Sequence, residues 1–199
     1  MRLIPLIGTA ALFAAGIAAD ASAETYSARL KGFREVIFNG AATPPTLVGA
    51  IRSAGEATLV LELDEPAKSL GFNLTYQNVG TTPPGTGTVT QAHIHFGQNH
   101  TPGGIMVFFC TNLAPPPGPM PPACPVNGGT VTGTITPGHV QGLANQNIAS
   151  GDFDALVDAL RTETAYANIH TTAFPSGEIR GQINVGSLKD NDEKKHELR

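Results

Sequence analysis

Two stretches between residues 56 and 77 place an apolar side chain at every second position. In the first, Ala57, Leu59, Leu61 and Leu63 alternate with Glu56, Thr58, Val60 and Glu62. In the second, Leu70, Phe72, Leu74 and Tyr76 share one side of the chain. Successive side chains of an extended backbone point to opposite faces, so a period of two is the mark of a half-buried strand. Glu65-Pro66-Ala67 supplies the turn between them, and the pair predicts a β-hairpin over residues 56–64 and 68–77.

The same pattern recurs along the chain. Residues 25–31 form an opening strand with Tyr26, Ala28 and Leu30 on one face. Strands follow over residues 89–96, over 130–136 with Val131 and Ile135 inward, and over 165–170 and 178–185. Residues 105–110 are almost wholly apolar and read as a central strand buried on both faces. Asn39-Gly40 and Thr43-Pro44-Pro45 mark an irregular connection, and residues 81–86 a second. Only residues 152–161 show helical spacing, through Phe153, Leu156, Val157 and Leu160, with Asp152 or Ser150 as the cap. Thr136-Pro137 suits a short helical turn. With 23 Gly, 16 Pro, no Trp and only 14% charged residues, the composition favours short strands joined by turns. The expected fold is mainly β, an antiparallel sandwich or barrel with one short helix.

The two ends differ from this body. Met1 and Arg2 give a positive start, residues 3–19 an apolar stretch, and Ala21-Ser22-Ala23 a small-residue cleavage site, which together read as a signal peptide over residues 1–23. An uncleaved anchor would use the same stretch, but its Ala- and Gly-rich character and its cleavage signature favour removal, leaving Glu24 first. No later stretch is apolar for long enough to span a bilayer. Residues 24–186 suit one domain with a proper core, and the charged tail over residues 187–199 suits disorder. Cleavage removes one basic residue, Arg2, and one acidic residue, Asp20, so the net charge stays at -4. A mildly acidic chain without a basic stripe argues against a nucleic-acid partner. Cys110 and Cys124 are the two cysteines, and in a secreted or periplasmic chain an even count predicts a disulfide. It closes a loop holding the proline-rich residues 114–122, worth about 3 kcal/mol by loop entropy. A thiolate metal site would need a nearby His or a zinc-knuckle spacing, and neither Cys has one.

Candidate chemistry lies in three segments. His93 and His95 share one face of their strand while Ala92, Ile94 and Phe96 share the other. Asn168 and His170 lie opposite Ala167 and Ile169, and Glu178 and Arg180 opposite Ile179 and Gly181. If these strands are neighbours, three imidazoles and a carboxylate converge. Imidazoles at i and i+2, about 7 Å apart at Cβ, can bend toward one copper or zinc ion. His170 would add a third nitrogen, and Glu178 an oxygen or a hydrogen bond to a ring nitrogen. A second reading stays open: each His bonds a strand end to a loop, Glu178 pairs with a basic group, and Arg180 opposes a cation on the same face. His100 reads as part of an exposed turn, and His139 and His196 as solvated. No serine-hydrolase elbow, P-loop or dinucleotide fingerprint is present.

These segments also carry a family resemblance. Ala92-His93-Ile94-His95, then Tyr166-Ala167-Asn168-Ile169-His170-Thr171, then Pro175-Ser176-Gly177-Glu178-Ile179-Arg180-Gly181-Gln182 closely resemble the CHRD domain, the module named after chordin and also found in microbial exported proteins. Leu30-Lys31-Gly32-Phe33-Arg34-Glu35-Val36 is similar to the family's opening motif, with Ile37-Phe38 where a Pro-Pro pair is usual. The resemblance spans roughly residues 25–185 and implies an antiparallel sandwich or barrel, immunoglobulin-like or copper/zinc superoxide dismutase-like. It supplies no catalytic residues. Two function classes follow: an exported binding or structural module for an extracellular or periplasmic protein or other ligand, or a copper- or zinc-binding protein or metal-dependent redox enzyme using His93, His95 and His170.

Overall fold

The computed structural model describes residues 24–39 and 46–190. In chain order they form β1 (Glu24–Lys31), β2 (Val36–Asn39), β3 (Thr46–Gly49), β4 (Glu56–Asp64), β5 (Ser69–Gln77), β6 (Val89–Phe96), β7 (Gly104–Thr111), β8 (Gly129–Ile135), α1 (Phe153–Arg161), β9 (Ala165–Thr171), β10 (Ile179–Gln182) and β11 (Asn184–Val185). The hairpin read from alternation is β4–β5, paired from Glu56 with Gln77 to Asp64 with Ser69. At its turn the Asp64 carboxylate accepts a hydrogen bond from the Ala67 amide, and Lys68 takes a left-handed φ of 47°.

All pairings of the main sheet are antiparallel, in the order β7-β6-β9-β10-β1-β4-β5-β8, with β11 also on β1. The sheet curls until its end strands β7 and β8 approach, so these nine strands nearly close into a barrel. The expected antiparallel sandwich or barrel is thus seen as a nearly closed barrel. Its apolar lining comes from alternate positions: Tyr26, Ala28 and Leu30 on β1, Leu59 and Leu61 on β4, Leu70 and Leu74 on β5, Ile94 on β6 and Ile169 on β9, all buried. α1 adds Phe153, Leu156, Val157 and Leu160 to the same core, and the Asp152 side chain caps it by accepting from the Ala155 amide.

Three expectations change. Residues 105–110 are mostly buried, Ile105 and Phe108 only partly, but they are not central, because β7 is an end strand of the sheet. Loops take the place of a second neighbour: the Gln141 amide donates to the Met106 carbonyl, the Thr111 amide to the Pro122 carbonyl, and the Gly104 amide to the Gln146 side chain. The Cys110–Cys124 disulfide forms and fastens the proline-rich loop to this edge. The connection after β1 is not wholly irregular, since β2 and β3 pair as a hairpin outside the main sheet, while residues 40–45 between them lie outside the described residues. The strand expected over residues 178–185 is divided, with Ile183 donating to the Ala165 carbonyl between β10 and β11. Gly181 permits that close passage: a Cβ there would sit 2.4 Å from the Arg29 carbonyl oxygen.

The expected signal peptide lies outside the described residues, as does most of the expected tail. Of that tail, residues 188–190 are helical and Asp190 accepts hydrogen bonds from the amide and hydroxyl of Ser187. Among the described residues, no helix is long and apolar enough to cross a membrane.

Candidate functional site

The strands that line the core with Ala92, Ile94, Ala167, Ile169 and Ile179 carry a second buried surface on their other side. Register fixes it: His93 stands opposite Asn168, His95 opposite Tyr166, and Asn168 in turn opposite Arg180. Paired residues of antiparallel strands share a face, so these polar groups form one layer outside the barrel. Two irregularities in β7 adjoin it. Phe109 and Met106 are passed over in the pairing with β6, one beside His93 and one beside His95. Such bulges bend a strand and re-aim its neighbours. Phe108 meets the His93 ring edge-on, centroids 5.0 Å apart.

The structure brings His93, His95 and His170 together, with one candidate ligand atom from each lying within 4.8 Å of the others. His95 Nδ1 lies 2.9 Å from the Gly103 carbonyl oxygen and His170 Nδ1 2.8 Å from that of Pro175. His93 Nδ1 lies 3.0 Å from His95 Nε2. Neither His93 Nε2 nor His170 Nε2 has a hydrogen-bond partner, although both are buried. Burial holds the His93 imidazole well below its ordinary pKa, with the neighbouring imidazoles adding to the effect. Burial brings His95 down to about 3, the Gly103 carbonyl opposing and the His170 and Arg180 charges assisting. Burial lowers His170 as well, against its bond to Pro175. All three rings are therefore neutral near pH 7, which leaves nitrogen lone pairs for bonding.

Beside the cluster, Tyr166 lies between His95 and Arg180. The His95 and Tyr166 rings stack with centroids 4.7 Å apart, and the guanidinium carbon of Arg180 sits 3.4 Å from the Tyr166 centroid on a cation–π contact. The Tyr166 hydroxyl accepts from the Gly103 amide, so Gly103 is held through both its amide and its carbonyl. Arg180 donates to the Gln98 carbonyl at 3.0 Å. Glu35 is the layer's carboxylate. It accepts from Asn168 at 2.6 Å and from the Val36 amide, and burial raises its pKa to about 7 against those bonds and the Arg180 charge.

Glu178, expected as an oxygen ligand or a partner of a ring nitrogen, does not join the histidines. Its carboxylate accepts from the Ser53 hydroxyl (2.7 Å), the Gly80 amide (2.8 Å) and the Thr171 hydroxyl (2.8 Å). It precedes β10 rather than extending it, directly after Gly177 at φ +128°, so strand alternation does not govern where it points. A Cβ at Gly177 would lie 2.9 Å from both Asn168 and the Glu35 carboxylate. His100 is exposed in the 97–103 loop, as expected. His139 is not simply solvated: half-buried, its Nδ1 accepts from the Thr136 amide at 3.1 Å. His196 lies outside the described residues. Glu35 and Tyr166 are the members the sequence reading left out, although Tyr166 shares the parity of Asn168 and His170 on β9. For Glu35 the only sequence signal is its place in the opening motif.

An antiparallel β-barrel with a buried histidine-containing layer outside its core is the class that fold and site define. The family model of the CHRD domain matches residues 26–183, and the chain belongs to the CHRD family. Among curated proteins none matches it.

Proposed function

We propose that the chain is an exported binding or structural module that presents loops and an outer hairpin to an extracellular or periplasmic protein or other ligand. The observation carrying this reading is where the buried polar groups spend their bonds. His95 holds Gly103, His170 holds Pro175, Arg180 holds Gln98 and Glu178 holds Gly80, each joining a strand or its end to a loop. Rigidly mounted loops are the usual bearers of recognition. Within the segment leading through the outer hairpin, Phe33 is 71% and Leu47 54% exposed, an apolar surface of the kind partners cover. The apolar stretch and cleavage site before Glu24, together with the disulfide, support export to an oxidising compartment.

Photo-crosslinking residues placed at 33, 47 and 132 in the exported protein, in the cells that make it, test this. Discrete adducts from positions 33 and 47 but not from 132 are expected. Equal adducts at all three, or none, would defeat the reading. The N-terminus of the exported protein is expected at Glu24.

A second reading has its own observation: the two unpartnered Nε2 atoms inside the three-histidine cluster favour a copper or zinc ion held by His93, His95 and His170. Metal analysis of the protein without an affinity tag, beside a His93→Ala/His95→Ala/His170→Ala variant, checks it. Stoichiometric metal lost in the variant is expected, and equal near-zero metal in both would end it.

A further inference from the structure

The hydrogen bonds of the cluster determine which nitrogens are free. A carbonyl oxygen only accepts, so His95 Nδ1 and His170 Nδ1 carry their ring protons. A neutral imidazole has one N–H, and burial keeps these rings neutral, so both Nε2 atoms are lone pairs. His95 Nε2 then accepts from His93 Nδ1, 3.0 Å away, which places the His93 proton on Nδ1 and leaves its Nε2 as a lone pair too. Of the three lone pairs, that of His95 is occupied by a proton donor. The other two, on His93 and His170, are buried without a hydrogen-bond partner, as are Arg180 Nη1 and Gln182 Oε1, of which only the two ring nitrogens offer a lone pair within the histidine cluster.

Building on the metal reading, we propose that His93 Nε2 and His170 Nε2 form a two-nitrogen site for monovalent copper, Cu(I), in which His95 is a positioning residue that fixes the His93 tautomer without touching the ion. Metal–nitrogen bonds of about 2.0 Å on opposite sides of an ion separate two nitrogens by roughly 4 Å, and the His93 and His170 rings lie with centroids 4.6 Å apart, in a cluster whose candidate ligand atoms fall within 4.8 Å of one another. A filled-shell monovalent ion is content with two neutral donors in line. Zinc instead wants four ligands, and both cysteines are spent in the disulfide. Charge points the same way. The cost of burying an ion rises with the square of its charge, and among the described residues no carboxylate joins the cluster: Glu178 is bound to Ser53, Gly80 and Thr171, and Glu35 to Asn168 and Val36. Arg180 places a positive charge near His95, which opposes a dication more strongly than a monocation. Binding displaces no proton, since both nitrogens are already bare.

The test is anaerobic competition of the full exported protein with a chromophoric Cu(I) chelator, and a parallel titration with Zn(II). The variants are His93→Gln, His95→Gln and His170→Gln, each verified as folded by circular dichroism. Glutamine at 95 retains an oxygen able to accept from His93. One Cu(I) per chain is expected, weakened by no more than about tenfold in His95→Gln, where the supporting hydrogen bond is altered but its acceptor is kept. It is expected to be lost in His93→Gln and His170→Gln, and X-ray absorption should count two nitrogen neighbours. No binding of either metal by the wild type would defeat the metal reading as a whole. Binding with three nitrogens, or loss in His95→Gln equal to that in His93→Gln, would keep the metal reading and overturn the two-nitrogen site. Wild-type binding unchanged in all three variants would overturn the assignment to this cluster.

Discussion

The two faces of β6, β9 and β10 are both buried, yet they are held by different forces. On the inner face Ile94, Ala167, Ile169 and Ile179 meet other apolar side chains, and burial itself supplies the stabilisation, about 1.5–3 kcal/mol for each large aliphatic group. On the outer face His93, His95, Asn168, His170 and Arg180 are equally withdrawn from water, but burial there is a cost unless hydrogen bonds offset it. Most of those bonds are made. The exceptions are informative, because those inner-face side chains have no polar atoms to strand, whereas the outer face strands Arg180 Nη1 together with His93 Nε2 and His170 Nε2, the last two on rings whose centroids lie 4.6 Å apart. The inner face explains why the chain folds, and the outer face where it has chemistry to offer.

Breaking the inner face should have the largest effect. Ile94→Ala removes a fully buried side chain between β7 and β9 and should lower unfolding free energy by about 2–5 kcal/mol in urea titration. A loss below 1 kcal/mol would mean that this wall of the barrel relaxes into the space. On the outer face, Asn168→Ala removes one hydrogen-bond donor from the buried Glu35 carboxylate and should cost about 1–3 kcal/mol.

Acid sharpens the contrast. The three histidines have folded-state pKa values below the unfolded value of about 6.5, so they stay neutral in the folded chain while the unfolded chain takes up protons. Their contribution is intact above pH 6.5 and is lost progressively as pH falls below it toward 3, where His95 titrates. Glu35 has the opposite sign. Its pKa is raised to about 7, so between about 4.5 and 7 the folded chain binds the proton and acidification adds stability. Each fully linked group contributes a slope of about 1.4 kcal/mol per pH unit, and His93 and His95, which stay neutral in the folded chain well below 6.5, already outweigh one glutamate. Unfolding free energy should therefore fall between pH 6.5 and 4.5, and fall more steeply in Glu35→Gln, where the opposing group is gone. A variant slope equal to that of the wild type would show that Glu35 does not titrate in this range.

Much of the inner face is legible in the sequence. Alternation places Leu59, Leu61, Leu70 and Leu74 inward, and the helical spacing of Phe153, Leu156, Val157 and Leu160 marks α1. The same rule places His93, His95 and His170 away from the core. It assigns a residue to a face, however, and leaves open which strand lies alongside. The apolar run of β7 reads as central because a continuous apolar stretch reports burial on both faces and cannot distinguish a neighbouring strand from a covering loop. Glu178 misleads for a related reason: after Gly177 the chain is not yet extended, and parity has no meaning there. Glu35 reaches Asn168 across 133 positions in sequence, a contact set by the order β9-β10-β1.

The smallest effect belongs to neither face of these strands. Phe33 and Leu47 are large apolar side chains left in solvent, so replacing them removes little buried area. Phe33→Ser and Leu47→Ser should each shift unfolding free energy by no more than about 0.5 kcal/mol. Crosslinking from a probe placed elsewhere on the outer hairpin should nevertheless fall in the double variant. That pairing of a silent stability change with a lost contact separates a recognition surface from a packing surface. A destabilisation above about 1 kcal/mol would place these side chains with the inner face, as groups the fold requires rather than groups it offers to a partner.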